Sequence, residues 1–289
     1  METALRVFAP HKWWIVFLAA ALPTCVAEDG RLSSDTVGSA PPGRIVSLLP
    51  AATEILDAPG AGDRLVGAST VARRISGLLD AGDPLRPSLE VIGRISPELI
   101  VASPQTELGP LRRAGPEGAA ILSLEILTLD DLRDAIRVLG SLLELGARAR
   151  SLLATLEDDL RRARQAGPSA GSPRVAWVVW HDLPILAGRG TFIDEVLSAA
   201  RGTNVVLPNE GRWPVLSFEV LHARAPDIVV WPDGAGVAPL EMAPEPWRAL
   251  RAMQAVVTVP APAYRVPGPS IGAAAAELAH RLARARSTG

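Results

Sequence analysis

Short apolar runs alternate with amphipathic stretches from Arg44 onward, which is the pattern of an α/β protein. Runs of four or five apolar residues, bounded by proline, glycine or polar residues, predict buried parallel strands. In the first half the predicted strands are 45–49, 64–68, 99–102 and 118–122, and the predicted short helices are 51–58 and 90–95. Glu54 is expected in the first turn of the first helix, where a carboxylate complements the helix dipole.

The pattern becomes helical at Thr128 and stays so for about forty residues. Apolar residues at spacings of three and four form one stripe over 132–143, and Gly146 is expected to break this helix. A second stretch, 147–165, carries leucines on one side and charges on the other. At about 1.5 Å per residue it spans about 30 Å, enough to connect two small lobes.

The order of elements in the first half recurs in the second half. Strands are predicted at 174–179, 204–206, 227–231 and 256–259, and helices at 191–200, 217–223 and 270–284. The predicted fold is therefore α/β, with two Rossmann-like lobes joined by one long rigid α-helix. The predicted boundaries are 44–127 for the N-terminal lobe, 128–172 for the bridging segment and 173–289 for the C-terminal lobe.

One short motif occurs once in each half. The segments 87–103 (PSLEVIGRISPELIVAS) and 216–232 (LSFEVLHARAPDIVVWP) place Glu90 and Glu219 two residues after a serine, at the same separation as Pro97 and Pro226 (219 − 90 = 226 − 97 = 129). A glutamate in a first helical turn is a common capping preference, so the repeat by itself can reflect duplicated topology alone. A shared function of the two glutamates is the alternative.

The amino terminus has the features of an export signal. Basic residues precede an apolar run over 13–22 that is too short to cross a bilayer, and small residues follow it. We expect a signal peptide over 1–27, a flexible leader over 28–43 and a periplasmic mature protein. Cys25 permits an alternative, a lipoprotein anchored through this residue.

Composition and charge argue against several function classes. The formal net charge is −2 and no basic block occurs, so we expect no nucleic-acid partner. The histidines after the signal, at positions 181, 222 and 280, have no metal-ligand spacing. We expect His181 to be an ordinary surface residue, and an axial ligand to the metal of a bound chelate is the alternative. His181 and Asp182 suggest a base and its orienting partner, but adjacent strand residues are expected to point apart, and no nucleophile motif is present. We expect no catalytic residue, no metal site and no resident cofactor.

Several ordered segments resemble the class III periplasmic binding proteins, the receptors that bring vitamin B12, ferric siderophores and haem to ABC importers. These segments are 44–56, 60–67, 97–101, 188–204, 212–219 and 264–269, and they are most similar to the cobalamin-binding branch. The resemblance implies a monomer that docks on a permease dimer with a cytoplasmic ATPase. It also implies that Glu90 and Glu219 meet arginines on the two permease subunits.

The resemblance further implies a ligand cleft between the lobes. The implied ligand-binding residues are Trp213, Trp180, Tyr264, Arg265, Pro50 and Ala51. No Phe, Tyr or Trp lies between Phe17 and Trp177, so aromatic contacts for a flat macrocycle must come from the C-terminal lobe. The expected cargo is cobalamin or a related corrinoid. Haem or a ferric siderophore is the alternative, for which Arg73 and Arg74 could bind anionic groups, and a scaffold or an enzyme is a further one.

Overall fold

The structure, a computed structural model, describes residues 40–57, 61–72, 77–114, 119–169, 171–234 and 239–288. The predicted signal peptide with Cys25, nearly all of the predicted leader, and Arg73 with Arg74 lie outside the described residues. Among the helices that the structure describes, none combines the length and the apolar character that crossing a bilayer requires.

The N-terminal lobe contains a five-stranded parallel sheet with the order β3-β2-β1-β4-β5. Its strands are β1 (Ile45–Ser47), β2 (Leu65–Ala68), β3 (Leu79–Asp80), β4 (Leu99–Ala102) and β5 (Ala120–Ser123). Its helices are α1 (Pro50–Asp57), α2 (Leu89–Ile95) and α3 (Leu108–Ala114). Strands β1 and β4 are buried along their whole length, which explains their continuous apolar runs.

The C-terminal lobe repeats the central part of this arrangement in a second sheet, with the order β10-β9-β6-β7 and β8 also paired with β6. Its strands are β6 (Arg174–Trp180), β7 (Ile185–Leu186), β8 (Thr203–Asn204), β9 (Ile228–Asp233) and β10 (Ala255–Pro260). All pairs are parallel except β6 with β7. Its helices are α6 (Phe192–Ala199), α7 (Phe218–Ala223), α8 (Glu245–Met253) and α9 (Ile271–Thr288).

Two helices connect the lobes, α4 (Leu129–Leu142) and α5 (Gly146–Ala166). Helix α4 begins with a capping box in which Thr128 and Asp131 satisfy each other's backbone N–H groups. The chain turns at Glu144, which has a left-handed φ of 56°, and Gly146 is the first residue of α5. The break between the helices was predicted at Gly146 but lies two residues earlier, because Glu144, a non-glycine residue, makes the turn. The 21 residues of α5 form the long helix of the bridge.

A continuous apolar core extends through both lobes along the bridge. It joins the inner faces of both sheets to α4, α5 and α9, and includes Ile45, Leu132, Leu160, Val175 and Leu278. A separate cluster covers the outer face of each sheet, beneath α2 and α3 in the N-terminal lobe and beneath α7 and α8 in the C-terminal lobe. The shared inner core fixes the two lobes to one rigid support, while α2 and α7 lie on the outside.

The sequence pattern missed the short elements β3, α3, β7 and α8. Two of these are two-residue strands, which are too short to show a period. Helix α8 begins at Glu245, between two closely spaced prolines, and α3 contains one proline; in a sequence, proline is more typical of a loop.

Candidate functional site

Helices α2 and α7 are built in the same way at equivalent places in the two lobes. Ser88 caps α2 by accepting from the Val91 N–H at 3.4 Å, and Ser217 caps α7 by accepting from the Val220 N–H at 3.3 Å. The chain leaves each helix through a residue in the left-handed region, Ser96 with φ 48° directly after α2 and Ala225 with φ 42° two residues after α7. The sequence repeat is therefore a repeat of a capped helix, including a strained exit that the residue types did not reveal.

The repeated glutamates lie in the first turn of these helices, and both are exposed to solvent. The Ser217 hydroxyl and the Glu219 backbone N–H hold the pKa of Glu219 below its ordinary value. This carboxylate is thus ionised throughout the physiological range, and its local hydrogen bonds also orient it. An ionised, oriented and solvent-exposed carboxylate is suited to a cationic partner outside the chain.

Both glutamates lie toward the carboxyl edges of the parallel strands. The Arg44 guanidinium, at the start of β1, contacts the carbonyl of Ile95 at the end of α2, so this helix runs antiparallel to the strand. Its first turn, with Glu90, is therefore at the opposite edge of the sheet. In the C-terminal lobe the Arg174 guanidinium, at the start of β6, contacts the carbonyl of Arg224 directly after α7, so α7 also runs antiparallel to its strand. Ligands of open parallel sheets bind beyond the carboxyl edge, so the glutamates flank the edge at which a ligand site is expected.

Trp213 lies in a segment that two backbone hydrogen bonds fix to β7 and its extension. The Gly188 N–H donates to the Arg212 carbonyl at 2.7 Å, and the Leu186 N–H donates to the Pro214 carbonyl at 3.0 Å, one on each side of the tryptophan. The indole is half-buried against the inner core. The backbone of Trp213 is therefore held in place, and the residue as a whole is only partly buried.

Trp180 is half-buried at the end of β6, but it packs against the outer cluster of the C-terminal lobe. Its neighbour is His181, with ring centroids 5.2 Å apart, and the cluster continues to Trp231 and Trp247. The predicted ligand residues Trp180 and Trp213 thus pack on opposite faces of the sheet. The structure does not bring them together as one aromatic surface.

His181 corrects two expectations. It is 8% exposed rather than a surface residue, and its Nε2 lies 3.3 Å from the Asp182 Oδ1 although the two residues are adjacent. The contact forms because the chain has left β6 and turns at these residues. The side chain is packed among aromatic rings, with its Nδ1 buried and unpaired. An axial-ligand role, in which the imidazole would reach an open cleft, is inconsistent with this burial.

Tyr264 and Ala51 belong to the core rather than to an open surface. Tyr264 is 6% exposed, contacts Trp177 edge-on at 5.0 Å, and its hydroxyl donates to the Ala274 carbonyl at 2.6 Å. Burial raises the pKa of this hydroxyl. In this structure the Tyr264 ring packs in the core, and Ala51, 2% exposed, is buried as well; a ligand role for either residue stays a prediction. Pro50 and Arg265 are half-buried, and their ligand role stays a prediction.

Glu54 makes a contact between the lobes that the sequence did not suggest. The sequence predicted Glu54 in the first turn of helix α1. Because α1 begins at Pro50, Glu54 lies in the second turn instead. Its carboxylate accepts from the Ser270 hydroxyl, just before α9, at 2.9 Å. A side chain at Gly268 would collide with the same carboxylate, so the glycine permits this close approach. The pair joins the two lobes through a direct hydrogen bond between side chains.

Within the described ranges, no group of three or more His, Cys, Asp or Glu side chains is placed to hold a metal ion.

Comparisons with known proteins agree with this architecture. A sequence model of a family described as periplasmic binding protein matches residues 45–247. The chain is 27% identical over 255 residues to the vitamin B12-binding protein of Photorhabdus laumondii, covering 84% of this chain and 89% of that one.

Solved structures share the fold. The periplasmic vitamin B12-binding protein BtuF of Vibrio cholerae superposes with a TM-score of 0.68 at 26% identity, over 85% of this chain and 98% of that one. The periplasmic haem-binding protein RhuT of Roseiflexus superposes with a TM-score of 0.69 at 26% identity, over 86% and 99%. The predicted fold is confirmed.

Proposed function

Because the chain belongs to the periplasmic binding protein family, we propose that it is the substrate-binding component of an ABC importer, and that its cargo is cobalamin or a related corrinoid. The observation that carries the proposal is the repeated helix, which presents one exposed glutamate on each of two lobes that share a rigid core. A receptor that docks across a two-fold symmetric permease needs one such contact on each side. The protein acts outside the cytoplasm, in line with the family to which it belongs.

The docking role of Glu90 and Glu219 follows from their exposure and charge. An exposed ion pair in water contributes under about 1 kcal/mol, whereas a charge pair desolvated at an interface can couple by about 1.5–7 kcal/mol. The glutamates therefore contribute little to the free receptor and much to the complex. We expect Glu90→Gln and Glu219→Gln each to weaken binding to the cognate permease in nanodiscs, increasingly so at low salt. Glu245→Gln is the matched control, because Glu245 is also exposed, lies in the same lobe as Glu219 and likewise stands in the first turn of a helix.

The corrinoid assignment is supported by the B12-binding relatives and by Trp213, whose backbone is held in place and which is only partly buried. Haem is the second candidate, and two observations favour it. The N-terminal lobe offers no aromatic residue, and the haem-binding RhuT superposes as well as BtuF does. Isothermal titration calorimetry of residues 28–289 with cyanocobalamin, haemin and ferrichrome separates the candidates. We expect submicromolar binding of cyanocobalamin. Submicromolar binding of haemin alone assigns haem as the cargo, and silence from all three ligands contradicts the receptor function.

A further inference from the structure

The equivalence of α2 and α7 extends to their carboxyl ends, where one arginine from each lobe is fixed to the last turn. Arg44 donates to the Ile95 carbonyl from Nε at 3.2 Å and from Nη2 at 2.5 Å. Arg174 donates to the Arg224 carbonyl from Nε at 3.1 Å and from Nη2 at 2.5 Å. In both lobes the arginine is at the start of the central strand, and the carbonyl is five residues after the glutamate.

The backbone around each arginine is also held in the same way. The Glu98 N–H donates to the Arg44 carbonyl at 2.8 Å, and the Asp227 N–H donates to the Arg174 carbonyl at 2.7 Å. The side chains of the same two acidic residues accept hydrogen bonds from the backbone near each arginine. Glu98 accepts from the Gly43 N–H at 2.7 Å, and Asp227 accepts from the Arg174 N–H at 2.8 Å. This network recurs in both lobes although the sequences around it differ.

Helices of seven and six residues are too short to hold their own geometry. Their last carbonyls lack partners within the helix, and a cation at that end is favourable. A guanidinium supplies two N–H donors to one carbonyl and carries the required charge. Each arginine therefore ties the carboxyl end of a short helix to the central strand of its lobe, while the glutamate lies near the opposite end of the helix, about 7.5 Å away along the axis.

We infer that Arg44 and Arg174 are positioning residues for permease docking, which set the direction in which Glu90 and Glu219 point. The inference rests on the proposed docking role of these glutamates. Two glutamates on one rigid body must meet two fixed partners at once, so a tilt of either helix lowers the effective concentration of the second contact. Neither arginine needs to touch the permease.

The two anchors differ in strength, which gives a graded expectation. Helix α7 has a second attachment, because the Arg224 side chain donates to the Val205 carbonyl at 2.8 Å and pairs with Glu210. The contacts of Arg44 are partly buried, whereas those of Arg174 are exposed. Removing Arg44 should therefore disturb docking more than removing Arg174.

The test measures the affinity of the ligand-loaded receptor for its cognate permease in nanodiscs. We expect Arg44→Met to weaken docking roughly tenfold and Arg174→Met roughly threefold, with ligand affinity unchanged. Arg44→Lys should restore part of the loss, since an ammonium can still donate one hydrogen bond to the Ile95 carbonyl. Arg161→Met, on an exposed arginine of the bridging helix, is the matched control and should dock as the wild type does.

A double-mutant cycle distinguishes positioning from general stability. In a Glu90→Gln background, Arg44→Met should cause no further loss of docking, because the group that it positions is already absent. Hydrogen exchange should accelerate in the last turn of α2 and not in α5. A loss of docking that persists undiminished in the Glu90→Gln background overturns the inference, as does wild-type docking by Arg44→Met. If Glu90→Gln itself docks normally, the docking role of the glutamate is refuted, and the inference falls with it.

Discussion

Replacing Trp213 by alanine tests the ligand platform most sharply. The indole is half-buried against the inner core, so a ligand can cover only the part of the ring that remains exposed. That part is roughly 60 Å², and the ligand buries a similar area of its own, which together correspond to about 3 kcal/mol at about 25 cal/mol per Å². We expect Trp213→Ala to weaken cyanocobalamin binding by about 10- to 100-fold.

The same substitution also removes packing from the core, so stability must be separated from affinity. Trp213→Ala should lower the free energy of unfolding by about 1–3 kcal/mol, because part of the ring packs against buried residues. Calorimetry is therefore done well below the unfolding temperature, with urea denaturation of each variant alongside. Trp213→Phe should retain part of the affinity, since it keeps a smaller ring on the same fixed backbone.

Met242→Ala is the control, because Met242 is 77% exposed and lies in a 3₁₀ turn outside the Trp213 segment. It should change neither ligand affinity nor stability. Ligand affinity within about threefold of the wild type in folded Trp213→Ala would refute the platform, since covering the exposed part of the indole must contribute more than that.

Three further predictions follow from single contacts. Tyr264→Phe should leave ligand affinity unchanged in calorimetry. It should lower the free energy of unfolding by about 1 kcal/mol, because the Tyr264 hydroxyl donates a hydrogen bond to the Ala274 carbonyl. Weakened ligand binding would instead show that Tyr264 belongs to the ligand site. Burial raises the pKa of Glu195, whose carboxylate accepts a hydrogen bond from the Leu129 N–H. The folded state therefore binds the carboxyl proton more tightly than the unfolded state does. The stability that this proton contributes is lost as pH rises through the raised pKa. Urea denaturation from pH 4 to 7 should show the free energy of unfolding of Glu195→Gln rising relative to the wild type with pH, and a constant difference would contradict the sign. Small-angle scattering should show little change on ligand binding, because the lobes share one core along the bridge; a clear decrease in radius of gyration would contradict this rigidity.

Much of the fold could be predicted from sequence because its strongest signals are long or repeated. The buried strands β1, β4, β6 and β9 are continuous apolar runs, and the bridge is a sustained helical period. Two-residue strands carry no period, and a turn made by Glu144 carries no glycine signal. These elements depend on their neighbours in space and not on their own residues.

The candidate site was predictable only in part. The glutamates were found because the motif occurs twice, whereas the arginines that hold their helices lie about fifty residues away in sequence and give no local signal. The burial of Tyr264 could not be predicted, because an aromatic beside a proline-rich loop resembles a surface residue until its contact with Trp177 is known. The contact between the lobes at Glu54 was missed because its partner, Ser270, is 216 residues away in sequence.

The central claim is that two exposed carboxylates dock a loaded receptor on its importer without taking part in ligand binding. Uptake of radiolabelled cyanocobalamin into proteoliposomes with the cognate importer, compared with calorimetric affinity, tests it most directly. The account predicts that Glu90→Gln combined with Glu219→Gln abolishes uptake while the receptor binds its ligand as tightly as before. Uptake at the wild-type rate by this double variant would contradict it.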